Sequence, residues 1–160
     1  MKQALYLVLA MPLLFGCAPT FQQIKGAEHH GSGAELATHL SQSPHVYMRE
    51  EAALAMGSLS PEKRSAKAYD ALIAALRKEN ENPHVKAAAG LSLRRWGAEE
   101  SVPDLIDAAL STADPEARYW LAYALHGFDN PDARSALESL RDDPDFLLST
   151  SVREWTREGK

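Results

Sequence analysis

The sequence predicts an all-α protein, a short right-handed α-solenoid of stacked helix pairs with about eight helices. Three observations lead there. Apolar residues recur at spacings of three and four through one segment after another, the period of an amphipathic helix. No segment alternates apolar and polar residues as a half-buried strand would. Proline behind Asn, Asp or Ser punctuates the chain at regular intervals, the combination that opens helices. With 160 residues the chain is long enough for one domain with a real core. Hydrophobic residues make up 45%, much of it alanine, against 8% aromatics, a balance suited to close helix–helix packing. The formal charge of −5 argues against a general nucleic-acid binder, which would be basic. A single cysteine allows no disulfide within the chain.

Residues 1–16 read as a signal peptide. Met1-Lys2-Gln3 is a short, positively charged start, and Ala4 to Phe15 is a nearly continuous apolar run of 12 residues. A membrane span needs about 20, so the run has the length of a signal-peptide core. It ends in Leu14-Phe15-Gly16-Cys17. This resembles the lipobox of bacterial lipoproteins: leucine three residues before the cysteine, a small residue directly before it, then the cysteine. Phe15 is bulkier than the motif's usual residue. The resemblance implies acylation of the Cys17 thiol by palmitate-like chains, cleavage after Gly16 and a lipid anchor. Each buried CH₂ of such an anchor is worth ~0.8 kcal/mol. Ala18 in place of aspartate implies, by the same resemblance, an outer-membrane lipoprotein facing the periplasm.

Residues 17–33 lack periodicity and read as a lipidated tether. Residues 34–160 read as the repeat domain, with end caps at 34–42 and 143–158. Ser32-Gly33-Ala34-Glu35 has the spacing of a capping box and predicts a short helix over Ala34 to Ser41, with Leu36 and Leu40 on one side. Six cap-plus-proline starts follow: Ser43-Pro44, Ser60-Pro61, Asn82-Pro83, Asp114-Pro115, Asn130-Pro131 and Asp143-Pro144. Pro103 stands in the first turn of one further helix. The apolar stripes run Met48, Ala52, Ala55, Met56; Tyr69, Leu72, Ile73, Leu76; Val85, Ala89, Leu93; Val102, Leu105, Ile106, Ala109; Ala117, Leu121, Ala124, Leu125; and Ala133, Ala136, Leu137, Leu140. Gly127 is placed to supply a left-handed stop. In the final helix, Phe146, Leu148, Val152 and Trp155 are expected inward.

The helices repeat. Met48-Arg49-x-x-Ala52-Ala53-x-Ala55-Met56 aligns with Val85-Lys86-x-x-Ala89-Gly90-x-Ser92-Leu93 and with Ala117-Arg118-x-x-Leu121-Ala122-x-Ala124-Leu125. The second helices align as Leu72-Ile73, Leu105-Ile106 and Ala136-Leu137. Met48 to Val85 is 37 residues and Val85 to Ala117 is 32, the period of a two-helix solenoid unit. At these residues the chain resembles the HEAT-like repeats, especially the short form of the phycobilisome lyases. That pattern is Asp-x-x-Pro-x-Val-Arg-x-x-Ala-Ala-x-Ala-Leu-Gly, then a second helix with Pro-x-Leu. Pro83-His84-Val85-Lys86, Pro115-Glu116-Ala117-Arg118 and Val102-Pro103-Asp104-Leu105 carry it here. The resemblance implies that Arg49, Lys86 and Arg118 form a ladder with acidic residues of adjacent repeats.

Function is expected in a binding surface. Tyr119 and Trp120 stand where the other repeats place Glu50 and Glu51, or Ala87 and Ala88, so they are candidates for an exposed recognition patch. Tyr123 aligns with Leu54 and Leu91 and is expected semi-buried. A groove along the second helices is a further candidate, with Arg64, Lys67, Asp70, Asp104, Asp107, Arg134 and Glu138. Trp96 and Phe128 share the slot of Leu59 and are expected in the core, and Trp155 in end packing. Six histidines, among them His29, His30 and His39, give no converging ligand set, so no metal is expected, and no cofactor. No phosphate loop, nucleophile elbow or cysteine–histidine pair points to an enzyme. The expectation is a lipid-anchored envelope protein that binds or scaffolds another envelope protein and contacts the membrane through Cys17. The alternatives are a chaperone- or lyase-like accessory to a cofactor-bearing protein, and a purely structural envelope protein.

Overall fold

The structure, a computed structural model, describes residues 32–158. The expected signal peptide, Cys17 and nearly all of the expected tether lie outside the described residues. Eight α-helices fill the described part: α1 (Gly33–Gln42), α2 (Val46–Gly57), α3 (Ala66–Arg77), α4 (Pro83–Trp96), α5 (Val102–Ser111), α6 (Pro115–His126), α7 (Pro131–Ser139) and α8 (Phe146–Glu158). Two one-turn 3₁₀ segments, Pro61–Lys63 and Glu99–Ser101, lie between them, and there is no strand among the described residues. The short α-solenoid expected from the sequence is the fold.

The pairing of helices differs from the one read off the repeat. The alignment joins the Met48 helix to the Leu72 helix. In the fold, α2 instead packs on α1 and α4, and α3 packs on α1 and α4. The hairpins are therefore α1–α2, α3–α4, α5–α6 and α7–α8, and the end helices are halves of hairpins. The packing shows this directly, and at two places connector length agrees with it. Residues 43–45 and 112–114 are too short for anything but a tight reversal between neighbours. The connection over 58–65 is longer and carries a 3₁₀ turn across to the next hairpin. Odd-numbered helices form one layer and even-numbered helices the other.

The core runs between the layers, with Leu36, Met48, Met56, Leu72, Leu93, Leu105, Leu121, Leu125 and Leu148 fully buried. Even helices pack closest because their facing residues are small. The Ser92 hydroxyl of α4 donates to the Ala53 carbonyl of α2 at 2.6 Å. A Cβ on Gly57 would lie 2.7 Å from Ser92 Oγ. Trp96 closes the same joint, its indole N–H donating to Met56 O at 2.9 Å. Leu59 and Phe128 are buried, while Trp96 is half-buried.

Several local expectations are corrected. Asn82, Asp114 and Asn130 do cap their helices by side chain. Ser32 does not, so the capping box is not formed, and α1 begins one residue early with Gly33 buried. Pro44 precedes α2, whose cap is His45. Ser60-Pro61 opens only the 3₁₀ turn, and α3 is capped by Ser65 Oγ, which accepts from Ala68 N–H. Asp145, not Asp143, caps α8 by accepting from Leu148 N–H at 2.8 Å. Gly127 is not left-handed; its φ is −75°. It is tied to glycine by packing, because a Cβ there would lie 2.7 Å from Arg94 Cγ and Cδ. Phe146 points outward and is 82% exposed.

Candidate functional site

Two features stand out: a row of charged clips along the hairpin connectors, and an aromatic face shared by α6 and α8. The clips begin with residues four positions after the N-caps of α2, α4 and α6, namely Arg49, Lys86 and Arg118. One turn into the helix, a long side chain reaches back over the connector. Arg49 donates to Ser43 O in its own connector at 2.9 Å and to Glu81 Oε1 in the next connector at 2.6 Å. Arg118 repeats this, donating to Thr112 O at 2.8 Å and to Asp143 Oδ1 at 3.0 Å. Its Nε also lies 2.9 Å from Asp143 Oδ2, but off the line of the N–H. Arg49 and Glu81 are 13% and 3% exposed, so the pair sits in a low-dielectric setting. Burial pushes the Glu81 carboxyl upward. Hydrogen bonds from Arg49, Lys78 and the Asn82 N–H outweigh it and hold the carboxyl below the usual range. The middle member differs: the Lys86 side chain makes no hydrogen bond or ion pair among the described residues.

The aromatic face follows from helical spacing. Tyr119, Tyr123 and His126 project from one side of α6, and Trp155 of α8 lies across all three. The Trp155 ring stacks on His126 at 5.0 Å and 9° and sits 5.9 Å from both tyrosines. Trp120 packs edge-on against Tyr119 at 5.1 Å and Tyr123 at 5.9 Å. The Arg94 guanidinium lies 3.8 Å over the Tyr123 ring. Tyr119 and Tyr123 are thus half-buried; for Tyr119 this corrects the expectation of a solvent-facing residue. Trp120 stays 38% exposed. Beside it a groove of about 300 Å³ is lined by Pro115, Glu116, Tyr119, Trp120, Asp145 and Leu147. Leu147 is 59% exposed and extends this apolar surface.

The charged candidates separate. Asp104 and Asp107 line a groove of about 500 Å³ between the second and third hairpins, with Arg77, Lys86, Ser111 and Thr112 among its other walls. Arg77 donates two hydrogen bonds to the Asp104 carboxylate, at 2.6 and 3.0 Å. Arg64 and Lys67 do not line it. Arg64 donates to Leu59 O at 3.2 Å and lies 5.3 Å over the Trp96 ring, a structural staple. Lys67 donates to Thr38 Oγ1 of α1 at 3.1 Å. Arg134 pairs with Asp129 and Glu138 with Arg141. Asp70 is exposed and lines neither groove. Reading by sequence missed Arg94, whose signal was only a glycine at 127. Among the described residues no group of three or more His, Cys, Asp or Glu is placed to hold a metal ion. No described helix is long and apolar enough to cross a membrane.

The sequence profile of HEAT repeats matches residues 33–125 and 69–154, more than half of the chain. The chain belongs to the HEAT repeat family. The hairpin stack and the row of clips are thus features of a HEAT repeat domain, in which each unit buries its apolar face only against neighbours. No curated protein matches the chain.

Proposed function

We propose that this HEAT repeat protein is a binding module, held at a membrane through Cys17, that docks another envelope protein on its aromatic face. The observation that carries the reading is the groove beside Trp120. A tryptophan 38% exposed, sharing a groove with Leu147, forms an apolar surface that the repeat itself does not require. Exposed aromatic residues at the rim of a concave surface are the side chains that dominate interface energies. HEAT repeats as a class supply extended binding surfaces, and that favours binding over catalysis here. The lipobox-like Leu14-Phe15-Gly16-Cys17 supports lipid anchoring and, with Ala18, an outer-membrane address facing the periplasm. The lyase-like accessory role rests only on a resemblance of repeat pattern.

The test is crosslinking pull-down from native membranes. Wild-type protein is expected to capture a stoichiometric partner. Trp120→Ala should lose it while unfolding within about 1 kcal/mol of wild type, as fits a surface residue. Cys17→Ser should lose acyl labelling and leave the membrane fraction. Equal capture by Trp120→Ala would refute the docking face, and unchanged membrane retention of Cys17→Ser would refute the anchor.

A further inference from the structure

Three cations occupy one repeat position, and the fold shows what that position binds. In two of them the guanidinium joins its own connector carbonyl to a carboxylate of the next connector, linking the first hairpin to the second and the third to the fourth. The carboxylate of the first clip comes from Glu81, immediately before the cap Asn82. In the clip at Arg118 the acid, Asp143, stands two residues before its cap Asp145. The two positions before the cap Asp114 are Thr112 and Ala113, neither of them an acid. The clip between the second and third hairpins therefore lacks its acid, and Lys86 faces the 500 Å³ groove there.

We propose that this groove is a carboxylate-binding site: an Asp or Glu side chain, or a chain-terminal carboxylate, enters beside Lys86 and completes the missing clip. Ala113 leaves the room that Glu81 fills in the first clip. A lysine suits a ligand from outside, since its compact ammonium has three donors and no fixed fork to satisfy. The remaining charges narrow the ligand. Asp104 is neutralised by Arg77, and Glu81 by Arg49 and Lys78. Glu79 and Asp107 stand exposed in the groove wall without ion pairs among the described residues. They repel a dianion or a polyanion. The fitting ligand is a single carboxylate set among neutral or basic groups. This site shares no residue with the aromatic groove and stands whether or not that groove docks a partner.

The experiment titrates the purified, ¹⁵N-labelled full chain with the acetylated and amidated peptide Gly-Glu-Asn-Pro-Gly, its Glu→Gln counterpart, sodium acetate and inorganic phosphate. Amide shifts at Thr112, Ala113 and Asp114 are expected to saturate with a Kd on the order of 1–10 mM for the Glu peptide. The Gln peptide should bind about three- to tenfold more weakly. Acetate matching the Glu peptide identifies a free small carboxylate as sufficient; acetate much weaker identifies a peptide-borne one. Lys86→Ala should abolish the shifts. Ala113→Glu should fill the site from within, abolishing binding and raising Tm by about 2–5 °C over Ala113→Gln. Equal binding of the Gln peptide, tighter binding of phosphate, or undiminished binding to Ala113→Glu would overturn the proposal.

Discussion

Replacing Arg49 by alanine is expected to destabilise the domain by about 3 kcal/mol at neutral pH. Breaking a buried ion pair from one side costs about 3–5 kcal/mol, because the remaining charge keeps its desolvation penalty without its partner. The low end applies because Lys78 still reaches Glu81 Oε2 at 2.9 Å. Acid gives the signature. The folded Glu81 carboxyl is held below its unfolded value, so the unfolded chain binds more protons as pH falls through the carboxylate range. The stability contributed by Glu81 is therefore present above an unfolded pKa of about 4.3 and is lost as pH falls through the folded value. Without Arg49, burial is opposed only by the weaker donors, and Glu81 takes up a proton more readily. The gap between wild type and Arg49→Ala should thus narrow as pH drops toward 4. Urea unfolding at several pH values reads it directly, and a gap that stays constant with pH would dismiss the electrostatic account. Replacing both Arg49 and Glu81 by apolar residues should recover much of the loss, since no lone charge then stays buried.

The second large effect is expected at Leu121, where truncation to alanine should cost about 2–5 kcal/mol. Leu121 is fully buried, and its Cδ2 would lie 3.0 Å from a Cβ placed on Gly90 of the neighbouring helix. A Cβ on Gly90 would also meet Leu105 Cδ2 at 2.9 Å. In the wild type, Gly90→Ala sets a helix-propensity gain of about 1 kcal/mol against crowding of these two side-chain tips. With Leu121 cut back, half of that crowding is gone and the new methyl enters the cavity. Gly90→Ala should therefore be more favourable by about 1 kcal/mol in the Leu121→Ala background. Strict additivity of the two changes would show that α4 and α6 do not touch as described.

The elements were legible in the sequence because their cause is local. The stripes, the caps at Asn82, Asp114 and Asn130, and the proline after each act within one or two turns. The pairing of helices was less legible, since a repeat alignment has the same period whichever neighbour a helix folds onto. Connector length held only part of the information, since the four-residue link 127–130 joins two hairpins while the longer links 78–82 and 140–145 lie within them. Phe146, Leu147 and Leu148 follow one another at about 100° steps around α8, so one helix face cannot bury all three. Leu148 took the core and Phe146 the solvent. Positions 49, 86 and 118 aligned in the sequence, but their partners come from other connectors at unequal separations of 32 and 25 residues. The missing acid at 113 becomes visible only when the folded clips are compared. Tyr119 read as exposed because nothing in α6 announces that Trp155, on another helix, lies across it.

The three tryptophans give this stack its own optical markers. Trp96 bonds to the backbone at the joint of the first two hairpins, Trp155 stacks on His126 between the last two, and Trp120 faces solvent. A linear array melts by nearest-neighbour steps, not always as one unit. The clips at Arg49 and Arg118 fall one in each half, and each half carries its own packed indole. Loss of order in either half therefore changes a different emitter, and single-tryptophan variants turn the array into a ruler for where melting begins.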